Sequence, residues 1–104
     1  MNKYSAVRTY SNLCQRWFAS RAETRRGEEL HLLELAGEIK GLLYQRCYQL
    51  STVPKVTITI DFSYWENGEL KYEDTKGVLT RDFRTKLAWL KQLYHVDVIL
   101  SRES

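Results

Sequence analysis

Val56-Thr57-Ile58-Thr59-Ile60-Asp61-Phe62-Ser63-Tyr64 is the stretch on which the fold turns. Val56, Ile58, Ile60, Phe62 and Tyr64 alternate with Thr57, Thr59, Asp61 and Ser63. A period of two makes this a strand with one apolar face and one polar face. Glu66-Asn67-Gly68-Glu69 comes next. Asn-Gly takes up the left-handed backbone of a tight hairpin turn without strain. Leu70 to Lys76 is therefore the antiparallel return strand, on which Leu70, Tyr72, Asp74 and Lys76 share one face.

Upstream of the hairpin, Leu42 to Leu50 reads as another strand, joined to it through Ser51–Lys55 with its Pro54. Ser20 stands three residues before Glu23, the spacing of a capping box. Leu32, Leu35/Ala36, Ile39 and Leu43 then recur at helical spacing, which predicts a helix from Ser20 to about Lys40, ended by Gly41. Residues 3–18 are less regular, with a turn at Tyr10-Ser11-Asn12-Leu13 between short strand-like pieces. Downstream, Thr80 caps a second helix that runs to about Tyr94, with Phe83, Leu87, Leu90 and Tyr94 as its buried stripe. Val96 to Leu100 is a last short strand. The order helix, strand, strand, strand, helix, strand predicts one α/β domain. Its mixed sheet of about four strands is flanked by two main helices, with a core over 20–100 and a basic arm over 1–19.

Composition narrows the classes. The 104 residues are 43% hydrophobic, the size of one domain and too apolar for a disordered chain. No apolar run approaches the roughly 20 residues of a membrane span, and Met1 to Tyr10 has no stretch of signal-peptide type. Cys14 and Cys47 are lone cysteines, read as reduced thiols, so a cytoplasmic location is expected. The net charge of +3 hides an asymmetry. Residues 1–27 carry six basic side chains against Glu23 alone, whereas 28–104 carry ten basic and twelve acidic. A basic front end on a near-neutral body fits a polyanion such as nucleic acid, or a plain solvated face.

The chemistry gathers on the hairpin. Asp61 interrupts the polar face of a core strand, and Asp74 and Lys76 lie about 6.6–6.8 Å apart on one side of its neighbour. Two carboxylates together repel each other and so invite a divalent cation. The chain has no Cys/His cluster for zinc, and oxygen ligation with waters is the habit of Mg²⁺. A lysine beside such an ion orients or deprotonates a water, which makes a hydrolytic site for a phosphodiester. A salt-bridged strand end is the plainer reading of Glu73-Asp74-Thr75-Lys76.

Asp61 followed by Asp74-Thr75-Lys76-Gly77 on the next strand resembles the PD-(D/E)XK nuclease superfamily, and the element order resembles its restriction-endonuclease-like core. Ser20-Arg21-Ala22-Glu23 resembles the corresponding segment of phage endonuclease I, a Holliday-junction resolvase. Glu29-Leu30, Leu33-Glu34, Ala36-Gly37-Glu38-Ile39, Gln45 and Arg84-Thr85-Lys86-Leu87 are similar to a small phage-borne family of uncharacterised endonuclease domains. The likeness covers roughly residues 20–100 and departs at Ile60, where the superfamily has Pro.

The resemblance implies a Mg²⁺-dependent DNA endonuclease, with Mn²⁺ able to substitute, that leaves a 5′ phosphate and a 3′ hydroxyl. Glu23, Asp61 and Asp74 would be the metal carboxylates, Thr75 a backbone-carbonyl ligand and Lys76 the catalytic lysine. Arg21, Arg25, Arg26, Gln45, Arg84 and Lys86 would contact DNA, branched DNA in particular, with a homodimer making paired cuts in a bacterial host. Open alternatives are a nicking or non-specific nuclease and a non-catalytic DNA-binding module. Glu23 could equally serve only as the cap partner of Ser20, and Gln45 as a polar strand rim. Tyr64 and Trp65 could stack on bases or simply pack.

Overall fold

A computed structural model describes residues 7–76 and 78–102. Lys3 of the basic arm and Gly77 of the Asp74–Gly77 motif lie outside the described residues. The elements are β1 (Thr9–Ser11), β2 (Arg16–Phe18), α1 (Arg21–Leu35), β3 (Lys40–Ser51), β4 (Val56–Glu66), β5 (Glu69–Lys76), α2 (Arg81–Tyr94) and β6 (Val98–Arg102). The main sheet has the order β3-β4-β5-β6. The first three strands are antiparallel, and β6 pairs parallel to β5. Parallel neighbours need a crossover, and α2 supplies it. The expected α/β architecture, a mixed four-stranded sheet with two flanking helices, is the one observed. At the β4–β5 turn Asn67 and Gly68 have φ of 53° and 79°, the left-handed pair the turn needs.

The apolar run of β4 serves two interiors. Ile58 and Ile60 pack with Leu50, Leu90 of α2 and Val96, whereas Phe62 and Tyr64 pack with Phe18, Leu30 of α1 and Ile39. The changeover falls at Asp61. Across from it, between the pairs Tyr44↔Phe62 and Arg46↔Ile60, Gln45 has a φ of 55°. A left-handed residue inside a strand is uncommon and twists the ladder locally. On β5, successive residues serve the two layers: Tyr72 packs into the α2 cluster, and Glu73 turns to Arg26 on α1.

Helix α1 departs from expectation. It ends at Leu35, not near Lys40, and Gly37, not Gly41, is the stop. The N–H of Gly37 donates to the Glu34 carbonyl and that of Glu38 to the Leu33 carbonyl, with Gly37 at φ 80°. That is a Schellman closure. Leu32 and Leu35 are 53% and 71% exposed, so the expected apolar stripe is not the packed face. The packed face runs through Glu23, Gly27 and Leu30. It is polar at one end because it meets the acidic site. It is bare at Gly27 because Phe18 presses there, and a Cβ added at Gly27 would lie 2.6 Å from the Phe18 ring.

The front segment folds back as a hairpin of β1 and β2, its turn two residues later than expected. Ser11 is buried and its hydroxyl donates to Glu28 of α1 at 2.6 Å. Together with Phe18 against Gly27, this docks the hairpin on the first helix. Helix α2 agrees with expectation at both ends: the Thr80 hydroxyl accepts from the Phe83 N–H, and Tyr94 is the last residue. Leu90 is fully buried, whereas Tyr94 is exposed and donates its hydroxyl to the Gln49 carbonyl.

Candidate functional site

Helix α1, β4 and β5 each bring one carboxylate to the changeover point. Asp74 is fully buried and Asp61 half-buried. The two are cross-bonded: the Asp61 N–H donates to Asp74 Oδ1 at 2.9 Å, and the Thr75 N–H donates to Asp61 Oδ2 at 2.9 Å. These bonds take the place of the next backbone pair in the β4–β5 ladder, whose regular register begins at Phe62↔Glu73. Asp74 Oδ2 is buried with no aligned donor. Lys76 Nζ stands 3.1 Å from it as an ion contact, and 4.1 Å over the Phe83 ring.

Glu23 divides its work. Its N–H donates to the Ser20 hydroxyl at 3.1 Å, so the cap uses the backbone. Its buried carboxylate turns inward, where Gln45 Nε2 donates to it at 3.0 Å. Capping and a role at the site are thus compatible, because they use different atoms.

The three acids feel one another. Burial, then the charges of Asp74 and Glu23, push Asp61 up to about 8. Burial and the Asp74 charge raise Glu23. Burial raises Asp74, and Lys76 pulls it back down. Among the described residues no three His, Cys, Asp or Glu side chains are drawn together closely enough to cage an ion unaided. The donor set nevertheless fits Mg²⁺, which is held by one or two carboxylates and keeps several waters. The two aspartates supply hard oxygens, and Asp74 Oδ2, buried without an aligned hydrogen-bond donor, has only the Lys76 ammonium to offset its charge. Thr75 enters the site through its N–H. A strand residue directs its N–H and C=O to the same side, so the carbonyl implied as a ligand also faces β4.

The remaining expected contacts separate. Arg21, Arg25 and Arg84 are exposed. Lys86 stands 3.5 Å from Asp82 on its own helix. Arg26 is engaged elsewhere: its Nε and a terminal nitrogen donate to the two oxygens of buried Glu73 at 2.6 and 3.0 Å. The Tyr64 hydroxyl also donates to Glu73, at 2.9 Å, so Tyr64 is a packing residue that completes a buried ion pair. Trp65 is exposed.

Arg16 was visible in the sequence only as one charge of the basic front end. Its guanidinium lies 4.1 Å over the Tyr44 ring and 5.4 Å over the Phe18 ring, with Nε buried and unpartnered. Its charge is one of the influences that draw Glu23 back toward the ordinary carboxylate range.

No helix among the described residues is long and apolar enough to cross a membrane. A family model described as "Protein of unknown function (DUF1064)" matches residues 1–101. No curated protein and no solved structure matches the chain.

Proposed function

The chain belongs to the family of unknown function DUF1064, and we propose that this member is a Mg²⁺-dependent DNA endonuclease acting on branched DNA. The observation that carries the reading is the cross-bonded Asp61–Asp74 pair with Lys76 Nζ 3.1 Å from Asp74 Oδ2. Asp61 and Asp74, with Glu23 beside them, would hold the ion. When bound, Mg²⁺ supplies charge to offset that developing on the scissile phosphate and acidifies a water. The protein does the rest. Lys76 would position or deprotonate the attacking water. Gln45 steers Glu23, and the Thr75 N–H keeps Asp61 in place. Attack at phosphorus would leave a 5′ phosphate and a 3′ hydroxyl. Exposed Arg21, Arg25 and Arg84 add attraction for the backbone without reading bases. Two such sites in a homodimer would make the paired cuts that a four-way junction needs.

The test is cleavage of a four-way junction and of a linear duplex, with Mg²⁺ or Mn²⁺, by wild type, Asp61→Ala and Lys76→Ala. Wild type is expected to cut the junction preferentially and both variants to fail. A wild type that binds DNA tightly but cuts nothing with either metal overturns the enzyme in favour of a binding module. Equal cutting of the two substrates overturns the preference for branches.

A further inference from the structure

The half-buried cations differ in what holds them, and Arg46, which has no carboxylate partner among the described residues, donates to the Ser63 hydroxyl at 3.2 Å. Arg26 is held by Glu73, Lys76 by Asp74, Lys71 by Glu66 and Lys86 by Asp82. Among the described residues Arg16 has no carboxylate within ion-pair distance. Its guanidinium instead lies over Tyr44 and near Phe18, at 4.1 and 5.4 Å from the ring centres, with Nε buried and without an acceptor. A buried donor without a partner is costly, and the aromatic faces offset only part of the cost of a half-buried cation that has no anion beside it.

Its place follows from the same contacts. Phe18 presses on Gly27, one turn along α1 from Glu23 and on the same face. Tyr44 precedes Gln45, whose side chain holds Glu23. Arg16 therefore lies toward the Glu23 side of the acidic site, where its charge acts on Glu23, and adds to the positive charge that Lys76 brings to Asp74. A guanidinium fork matches phosphate oxygens, and aromatic planes fix its orientation beforehand.

We propose that Arg16 is a phosphate clamp, its guanidinium binding a non-bridging oxygen of the nucleic-acid phosphate that lies against Glu23, Asp61 and Asp74. The assignment of that phosphate to DNA rests on the endonuclease reading; the clamp itself does not. Arg16 thus replaces Arg26 as the buried-side phosphate contact, since Arg26 is spent on Glu73.

The test uses the full chain with Arg16→Ala and Arg16→Gln. The second keeps the aliphatic stem and a neutral polar end, so it guards against loss of packing, and thermal melts confirm that each variant is folded. Thymidine 5′-monophosphate and, separately, inorganic phosphate are titrated by NMR. Junction DNA binding in EDTA is followed by anisotropy across a salt series. Both variants are expected to lose about tenfold or more in mononucleotide affinity, and the salt slope for DNA should shrink by about 1. A loss for the mononucleotide but not for inorganic phosphate places the clamp on a phosphate ester; a parallel loss places it on phosphate oxygens generally. Unchanged affinity and slope in a folded Arg16→Gln protein overturn the clamp. If that variant also cleaves DNA as wild type does, the endonuclease reading survives its failure. A wild type that binds mononucleotide through Arg16 yet cuts no DNA leaves the clamp and removes the endonuclease.

Discussion

Asp61 and Asp74 hold each other in place across two strands, the backbone N–H of Asp61 donating to Asp74 Oδ1 at 2.9 Å, with Asp74 fully buried and Asp61 half-buried. The backbone supplies what the side chains cannot, since two carboxylates brought together repel. A structure that holds them there carries electrostatic strain, which Lys76 offsets at Asp74.

That strain has a pH signature. Burial and its acidic neighbours push Asp61 up to about 8 from an ordinary 3.8. The folded, metal-free protein keeps a proton there that the unfolded chain has released above about pH 4. The stability contributed by this carboxyl therefore falls as pH rises from about 4, and levels off above about 8. In EDTA the melting temperature should decline between pH 5 and 8.5, and Asp61→Asn should flatten the decline. Mg²⁺ has to displace the same proton, so its affinity should rise with pH up to about 8. Calorimetry in buffers of different ionisation enthalpy measures the proton released; an affinity indifferent to pH counts against Asp61 as a ligand.

Gln45→Ala releases the Glu23 carboxylate from its donor. Removing a group that orients a metal carboxylate costs about 10–100-fold in metal affinity or activity. Expected is a rise of that size in the Mg²⁺ concentration needed for half-maximal cleavage, with a melting temperature close to that of wild type. An unchanged metal requirement would make Gln45 a rim residue only.

Arg26→Ala strands the carboxylate of Glu73, which is 2% exposed, beside the Tyr64 hydroxyl. Breaking a buried pair costs about 3–5 kcal/mol, and the partial exposure of Arg26 sets the loss at the low end of that range. Denaturant melts should record it. Junction affinity, measured where the variant is still folded, should change little, because this arginine directs its Nε and a terminal nitrogen at Glu73.

Gly27→Ala separates helix propensity from packing. Alanine gains about 1 kcal/mol in a helix interior. Overpacking costs about 1–3 kcal/mol, and the new Cβ would lie 2.6 Å from the Phe18 ring. A net loss of stability is expected, with the ring and the Arg16 above it displaced, so phosphate affinity should fall as well. A more stable protein with unchanged affinity would mean that the hairpin yields freely.

How much of this was legible depends on the range of each interaction. The β4–β5 hairpin could be read because the alternation of Val56 to Tyr64 and the Asn67-Gly68 turn are local signals. The order of elements followed from such signals, and so did the Thr80 cap. The face of α1 was misread because the helix turns Glu23, Gly27 and Leu30 inward, and only Leu30 resembles a core residue. Arg26 and Glu73 are 47 residues apart, and each alone looks like surface charge. Arg16 was hidden in the same way: its two aromatic supports come from β2 and β3, and no pattern in the chain joins them. At the site, Asp61, Asp74 and Lys76 could be gathered on paper by strand periodicity, whereas the Gln45 contact to Glu23 depends on a left-handed backbone that no residue type announces.

The division of β4 at Asp61 has one more effect. Each half of the molecule keeps its own oily interior, and the acids sit where the two meet. Neither half can present the carboxylates alone. A fluctuation that loosens either interior should undo their alignment well before the chain as a whole lets go. Catalysis would then be the first property lost on warming, and the amide of Asp61 the earliest to surrender its hydrogen among its neighbours on the strand.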